Sequence, residues 1–179
     1  MADPKILTPF IQSWEGGFSN NPKDPGGATM KGVTLATFRS YYGASKTVND
    51  LKAITDEQWM HIFRKGYWDK WKADQIKSQS IANICVDWVY NSGKSGITKV
   101  QTLLGVKADG IVGPKTLEAL NAKDPKTLFN QIWDARKKFY ESLKTFPTFG
   151  KGWMRRLNSI GYGYLVFNTN PSKTTTFTP

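Results

Sequence analysis

Apolar residues recur every three or four positions along nearly the whole chain, whereas the β-branched alternation that marks strands is sparse, so the sequence specifies a mainly α fold. The longest stripe opens at Asp124-Pro125, a cap followed by the residue best suited to a first helical position. It continues through Leu128, Phe129, Ile132, Trp133, Arg136, Phe139, Tyr140 and Leu143. Thr55-Asp56-Glu57-Gln58 reads as a capping box ahead of Trp59, Ile62, Phe63 and Tyr67, and Thr34 can cap a short helix that ends at Gly43. Residues 79 to 90 predict a strongly apolar, central helix whose charged residue is Asp87, ending at Asn91-Ser92-Gly93. Short helices follow near 95 to 104 and from Pro114 to about Asn121. Near the start, Ile6, Leu7, Phe10, Ile11 and Trp14 share a face, with Pro9 predicting a kink or a late start capped by Thr8. Phe146-Pro147 predicts a break before a last helix that opens at Gly152, and the Thr-rich stretch from Asn168 to Pro179 is expected to fray as a flexible tail.

Nothing covalent staples this fold. A lone Cys85 excludes an intrachain disulfide, and one His with one Cys excludes a zinc site built from those ligands, so the core alone must supply the stability. Cys85 on an apolar helix face reads as an inert buried thiol, and His61 beside Trp59 and Ile62 as a partly buried structural residue. The 25 basic residues, mostly lysine, outnumber the 14 acidic ones for a net charge of +11, spread along the chain without a run. Such a surface suits polyanions in general: nucleic acid, bacterial wall or an anionic membrane face. No nucleic-acid-binding motif accompanies the charge, and no window reaches the ~18 consecutive apolar residues of a membrane span. The first residues, with Asp3 and no unbroken apolar stretch, predict synthesis in the cytoplasm without a signal peptide.

Between Gly16 and Gly32 the composition flips to Gly, Pro, Asn and Asp, predicting a long ordered loop or short hairpin of the kind that carries function. Glu15, one of only four glutamates, stands where the first apolar helix runs into that loop. The negative pole of the helix and the neighbouring Trp14 both favour its protonated form, which suits a general acid. Asp24 lies in a polar, glycine-rich setting that keeps a carboxylate ionised. Two carboxyls in opposed environments can cleave a glycosidic bond, one protonating the leaving oxygen and the other serving water or the sugar cation. Thr29 and Thr34 add hydroxyls able to orient that water. On spacing alone a solvated helix end and an Asp-Pro-Gly turn read equally well. Asp109-Gly110 and Gly113-Pro114 read as turn and cap.

The run from Glu15-Gly-Gly-Phe through Asp24-Pro-Gly-Gly-Ala-Thr29 to Thr34 closely resembles the signature of the glycoside hydrolase family 108 muramidases. Downstream, Ile81 to Gly93, Val100-Gln-Thr-Leu-Leu, Asp109-Gly-Ile-Val-Gly-Pro-Lys-Thr-Leu117, Arg136, Tyr140 and Gly150 to Arg156 resemble the predicted peptidoglycan domain that accompanies it. The resemblance implies a lysozyme-like, two-lobed helical fold: a muramidase lobe over 1–92, a peptidoglycan-binding lobe over 93–167 and a tail over 168–179. It further implies hydrolysis of the β-1,4 bond between N-acetylmuramic acid and N-acetylglucosamine in bacterial peptidoglycan, with Glu15 as the acid. Neither metal nor organic cofactor is required, and a monomer is expected. The order Glu15, Asp24, Thr29 is similar to that of phage-type lysozymes, with four residues rather than five between the last two. Asp87 and Asn91, one helical turn apart, match polar positions of the second motif and are assigned to the cleft with Thr34. A lytic transglycosylase and a non-catalytic wall-binding or secretion-accessory module are the alternatives. Action on the wall implies export through a pore or another non-classical route.

Overall fold

The computed structural model describes residues 1–22 and 27–179. Helix α1 (Pro4–Trp14) begins earlier than Thr8, because Asp3 is its cap and accepts from the Lys5 N–H at 2.9 Å. Pro4 then occupies the first turn, where its missing N–H costs nothing, and the helix runs on through Pro9 with Leu7, Phe10 and Ile11 fully buried. The loop that follows is a small antiparallel sheet of β1 (Ser19–Asn20), β2 (Ala28–Met30) and β3 (Val33–Thr34), with Thr29 paired to both Ser19 and Thr34. Lys31 (φ 50°) and Gly32 (φ 82°) make the two-residue turn between β2 and β3, both in the left-handed region that such a tight hairpin requires.

Three short helices carry the chain away from this sheet: α2 (Leu35–Tyr42), α3 (Val48–Lys52) and α4 (Asp56–Phe63). The caps at Thr34 and Thr55 are as the sequence predicts, the second with its reciprocal Gln58 bond. A π turn (Arg64–Trp68) and a 3-10 turn (Ala73–Gln75) then lead into α5 (Gln79–Ser92), which is buried from Gln79 to Val89 and forms the axis of the molecule. Helices α6 (Ser95–Leu104) and α8 (Pro125–Ser142) pack against it, α7 (Pro114–Ala122) packs against α6, and α9 (Phe146–Asn158) against α8. The turn and cap expected at Asp109-Gly110 and Gly113 are present, organised by buried Gln101, whose Oε1 accepts from the Gly110 N–H at 2.9 Å. Cys85 is buried and its surroundings push the thiol up, so it is inert as expected; His61 is exposed rather than half-buried, edge-on to the Tyr41 ring.

One proline-based expectation and one about the tail differ from the structure. Helix α9 opens at Phe146 and takes Pro147 into its first turn, so the proline starts the helix instead of separating it from its predecessor. The Thr-rich end forms β6 (Lys173–Thr176), which pairs with β5 (Tyr164–Phe167), itself paired with β4 (Ile160–Gly161). β5 packs on α1, and the Asn168 N–H donates to Ser13 Oγ at 3.1 Å, so the chain end closes back on its beginning. Phe177 packs onto the core beyond β6, which gives the stretch the anchor its composition did not suggest.

At the centre of the helical packing lies a buried ion cluster. Asp87 of α5, fully buried, accepts from Arg136 of α8 at 2.6 Å and from Arg156 of α9 at 2.6 Å. Burial alone would push the Asp87 carboxyl up, but the Arg156 and Arg136 guanidiniums outweigh it and hold the group below the ordinary carboxylate range. A carboxyl depressed in the folded state contributes stability above its unfolded value near 3.9 and loses it as the pH falls toward the folded value. Asp87→Asn should therefore destabilise the protein by about 3–5 kcal/mol at neutral pH, because it leaves Arg136 buried without a counter-charge and Arg156 with Glu15 alone. Denaturant melts from pH 7 down to pH 3 should show a flatter acid limb in the variant than in the unaltered protein.

Candidate active site

Glu15 is the C-cap of α1, its N–H bonded to Ile11 O at 3.1 Å, so the helix end aims its side chain into an open pocket of ≈ 300 Å³. Gly32, Tyr67, Tyr90, Asn91 and Arg156 form the other walls. Glu15 Oε1 accepts from Arg156 Nη1 at 3.3 Å, and the Glu15 side chain keeps 22% of its surface exposed, enough for a ligand to reach it. Arg156 thus bridges the buried Asp87 and the accessible Glu15. Burial would disfavour its charge, but the carboxylates of Asp87 and then Glu15 hold its guanidinium above the ordinary arginine value. Two acids and two arginines balance in this chain, so the charges are closed among themselves.

The opposite wall comes from the β2–β3 turn. Trp59 of α4 donates from Nε1 to Lys31 O at 2.9 Å, which anchors the turn over the pocket, and Gly32 lies against both Glu15 and the Tyr90 hydroxyl. Tyr90 and Tyr67 pack in a tilted arrangement with centroids 4.6 Å apart at the pocket edge. Burial pushes both phenols up, with the charge of Glu15 adding in the same direction, so their hydroxyls stay protonated and can donate. A narrower recess lined by Thr34, Thr37, Trp59 and Phe63 extends the pocket along the hairpin side.

The Glycosyl hydrolase 108 family model matches residues 8–93, and the model described as Predicted Peptidoglycan domain matches residues 95–158. Among solved structures, one titled "Structure of Brucella abortus SagA" is 35% identical, covers 86% of this chain and 88% of its own, and superposes with a TM-score of 0.74. The chain belongs to the glycosyl hydrolase 108 family. It is a lysozyme-type glycoside hydrolase of peptidoglycan. No curated protein matches it.

Within this family member the structure brings together some of the expected site residues and separates others. Glu15 and Asn91 line one pocket, and Thr34 lines the adjoining recess, where its hydroxyl also caps α2 by accepting from the Thr37 N–H at 3.1 Å. Thr29 sits in mid-ladder on β2. Asp24 lies outside the described residues. Asp87 requires a correction: helical spacing puts it one turn from Asn91, but it is fully buried between two arginines and touches no ligand-accessible space. Its role is to hold Arg156. The Glu15 pocket also contains Arg156, Tyr67, Tyr90 and Gly32, which spacing did not single out. Arg156 lies 141 positions from Glu15, and no local pattern reports a pairing that distant. An Arg-Arg pair at the end of an amphipathic stripe was the available signal, since one arginine of such a pair falls on the apolar face.

Gly32→Ala tests the turn. A methyl group there would fall on the Tyr90 hydroxyl and 2.9 Å from Glu15 Oε2, at a backbone angle that L side chains rarely adopt. Wall lysis should drop by about a hundredfold, the effect of moving a group in an enzyme's site by an ångström, while the far-ultraviolet circular dichroism stays unchanged.

Proposed function

We propose that the enzyme is an N-acetylmuramidase, cleaving the β-1,4 bond between N-acetylmuramic acid and N-acetylglucosamine with Glu15 as general acid. The observation that carries this reading is the position of the Glu15 carboxyl, held at the end of α1 in an open pocket with part of its surface accessible to a ligand. Glu15 gives its proton to the glycosidic oxygen as the bond from that oxygen to the muramic acid anomeric carbon breaks. Water adds to that carbon and yields a reducing end. Arg156 keeps Asp87 as a partner whichever state Glu15 is in, so the Glu15 contact can loosen when the carboxyl takes up its proton. The protonated Tyr67 and Tyr90 hydroxyls and the Asn91 amide supply donors and a flat edge for the sugar. In this reading Asp24 serves the opposite face, with Thr29 orienting water. The wall lies outside the cytoplasmic membrane, and we place the site of action there; among the described residues no helix is long and apolar enough to cross a membrane.

The test is mass spectrometry of soluble products from purified peptidoglycan. The unaltered protein should release fragments with reducing N-acetylmuramic acid ends, and Glu15→Gln should lower their rate by at least about a thousandfold without unfolding. Products with 1,6-anhydro ends would make the enzyme a lytic transglycosylase. Near-normal lysis by Glu15→Gln would remove Glu15 from the mechanism.

A further inference from the structure

We propose that the glycan cleft continues past Tyr67 into a cationic arm, formed by Lys70 and Lys94, that takes the free carboxylates of the peptide stem. The proposal rests on the reading that the glycan lies over Glu15. Tyr67 is shared between the Glu15 pocket and a second concavity of ≈ 320 Å³, whose walls include Lys70, Gly93, Lys94, Ile97 and Gly110. This arm sits where the C-terminal end of α5 turns into α6, next to Asn91 of the Glu15 pocket.

Three observations give the arm its chemistry. Lys94 is exposed, but its stem lies along Gly110, where a methyl group would come within 2.8 Å of Cγ and 3.1 Å of Cδ. Gly110 is itself held by the Gln101 carbonyl, so the surface beneath the lysine is fixed. Neither Lys70 nor Lys94 has an ion-pair partner among the described residues, and the nearby acids are engaged elsewhere, Asp69 with Lys65 at 3.9 Å and Asp109 with the Ile111 N–H at 3.0 Å. The end of α5 and the start of α6 meet at this concavity, so their opposite backbone poles offset each other and the two lysines set its charge. Two lysines thus line an opening whose described lining contains no carboxylate.

Peptidoglycan supplies the complement. Its stem is joined to the lactyl group of N-acetylmuramic acid, the sugar this reading seats beside Glu15, and it carries free carboxylates within a few residues of that attachment. A glycan in the Glu15 pocket therefore delivers anionic groups to the adjoining surface, and the arm beyond Tyr67 is a concave surface of matching charge.

The experiment measures binding, so that it does not depend on turnover. In a Glu15→Gln background, Kd is measured calorimetrically for soluble peptidoglycan fragments with intact stems and for the same glycan after an amidase has removed them. Lys70→Gln with Lys94→Gln should weaken binding of the stem-bearing fragments by about fivefold and leave the stem-free glycan unchanged. Lys137→Gln with Lys138→Gln, an equal charge change on the exposed face of α8, should leave both unchanged. Equal weakening toward both ligands, equal weakening by the α8 pair, or no weakening would overturn the proposal. Failure of the hydrolase reading would appear separately, as absence of new reducing ends from the unaltered protein.

Discussion

The bond on which the rest of this structure depends is the one between Asp87 and its two arginines. A carboxylate with no exposed surface is tolerable only when its charge is matched and its oxygens are filled, and Arg136 and Arg156 do both. Because the three residues come from α5, α8 and α9, the cluster fixes those helices in one arrangement. Arg136 also donates to the Tyr140 hydroxyl at 2.8 Å and to Ile84 O at 3.3 Å, leaving it little freedom to relax toward another partner. What this rigidity serves is the remaining donor of Arg156. Held on its inner side by Asp87, the guanidinium presents Nη1 to Glu15, and the acid is located from behind by a residue that cannot move.

Glu15 is located from the front by a second, independent device. The turn at Lys31-Gly32 is tight enough to need two left-handed residues in succession, and Trp59 ties it to α4 through the Lys31 carbonyl. Gly32 can press on both Glu15 and Tyr90 because it has no side chain. The acid therefore sits between a charged clamp from the C-terminal lobe and a backbone clamp from the N-terminal hairpin. Each clamp is anchored in its own packing, so a substitution in one should misplace the carboxyl without dismantling the other.

This division explains which parts of the molecule could be read from the sequence. Helices with their own signals were legible, because a cap such as Thr55 or Asp124 and a stripe such as Leu128 to Tyr140 act within a few residues of themselves. Glu15 was legible for the same reason, since the helix end and the glycine-rich stretch adjoin it. Pro147 misled because proline has two local readings, breaker and first-turn residue, and here it takes the second at the start of α9, while the start offered at Thr8 is pre-empted by Asp3 and Pro4. The terminal threonines gave no core pattern of their own; their strand exists because β5 and α1 had already built a surface to receive it. Asp87 was found, but on spacing it looked like a cleft residue. Whether a helical carboxylate faces a ligand or a pair of arginines is settled by helices 49 and 69 positions away, which no window of the chain contains.

The electrostatics of the molecule divide in the same way. At the chemistry the charges are closed, two acids against two arginines, so the net +11 resides in the lysines at the surface. Surface lysines add little to folding stability, and in excess they repel one another. Their benefit is to association: a diffuse positive field accelerates encounter with a polyanionic wall, with an effect that weakens as salt is added. Such a field is indifferent to register, however, and cannot choose which part of the polymer enters the pocket. Register requires groups held at fixed distances from the acid. Groups of this kind adjoin the pocket in the tilted pair Tyr67 and Tyr90, and the proposed lysine arm with its stem along Gly110 would add to them. Attraction to the wall and alignment upon it are thus separate properties of the chain, the first set by composition and the second by the few side chains whose backbone cannot shift.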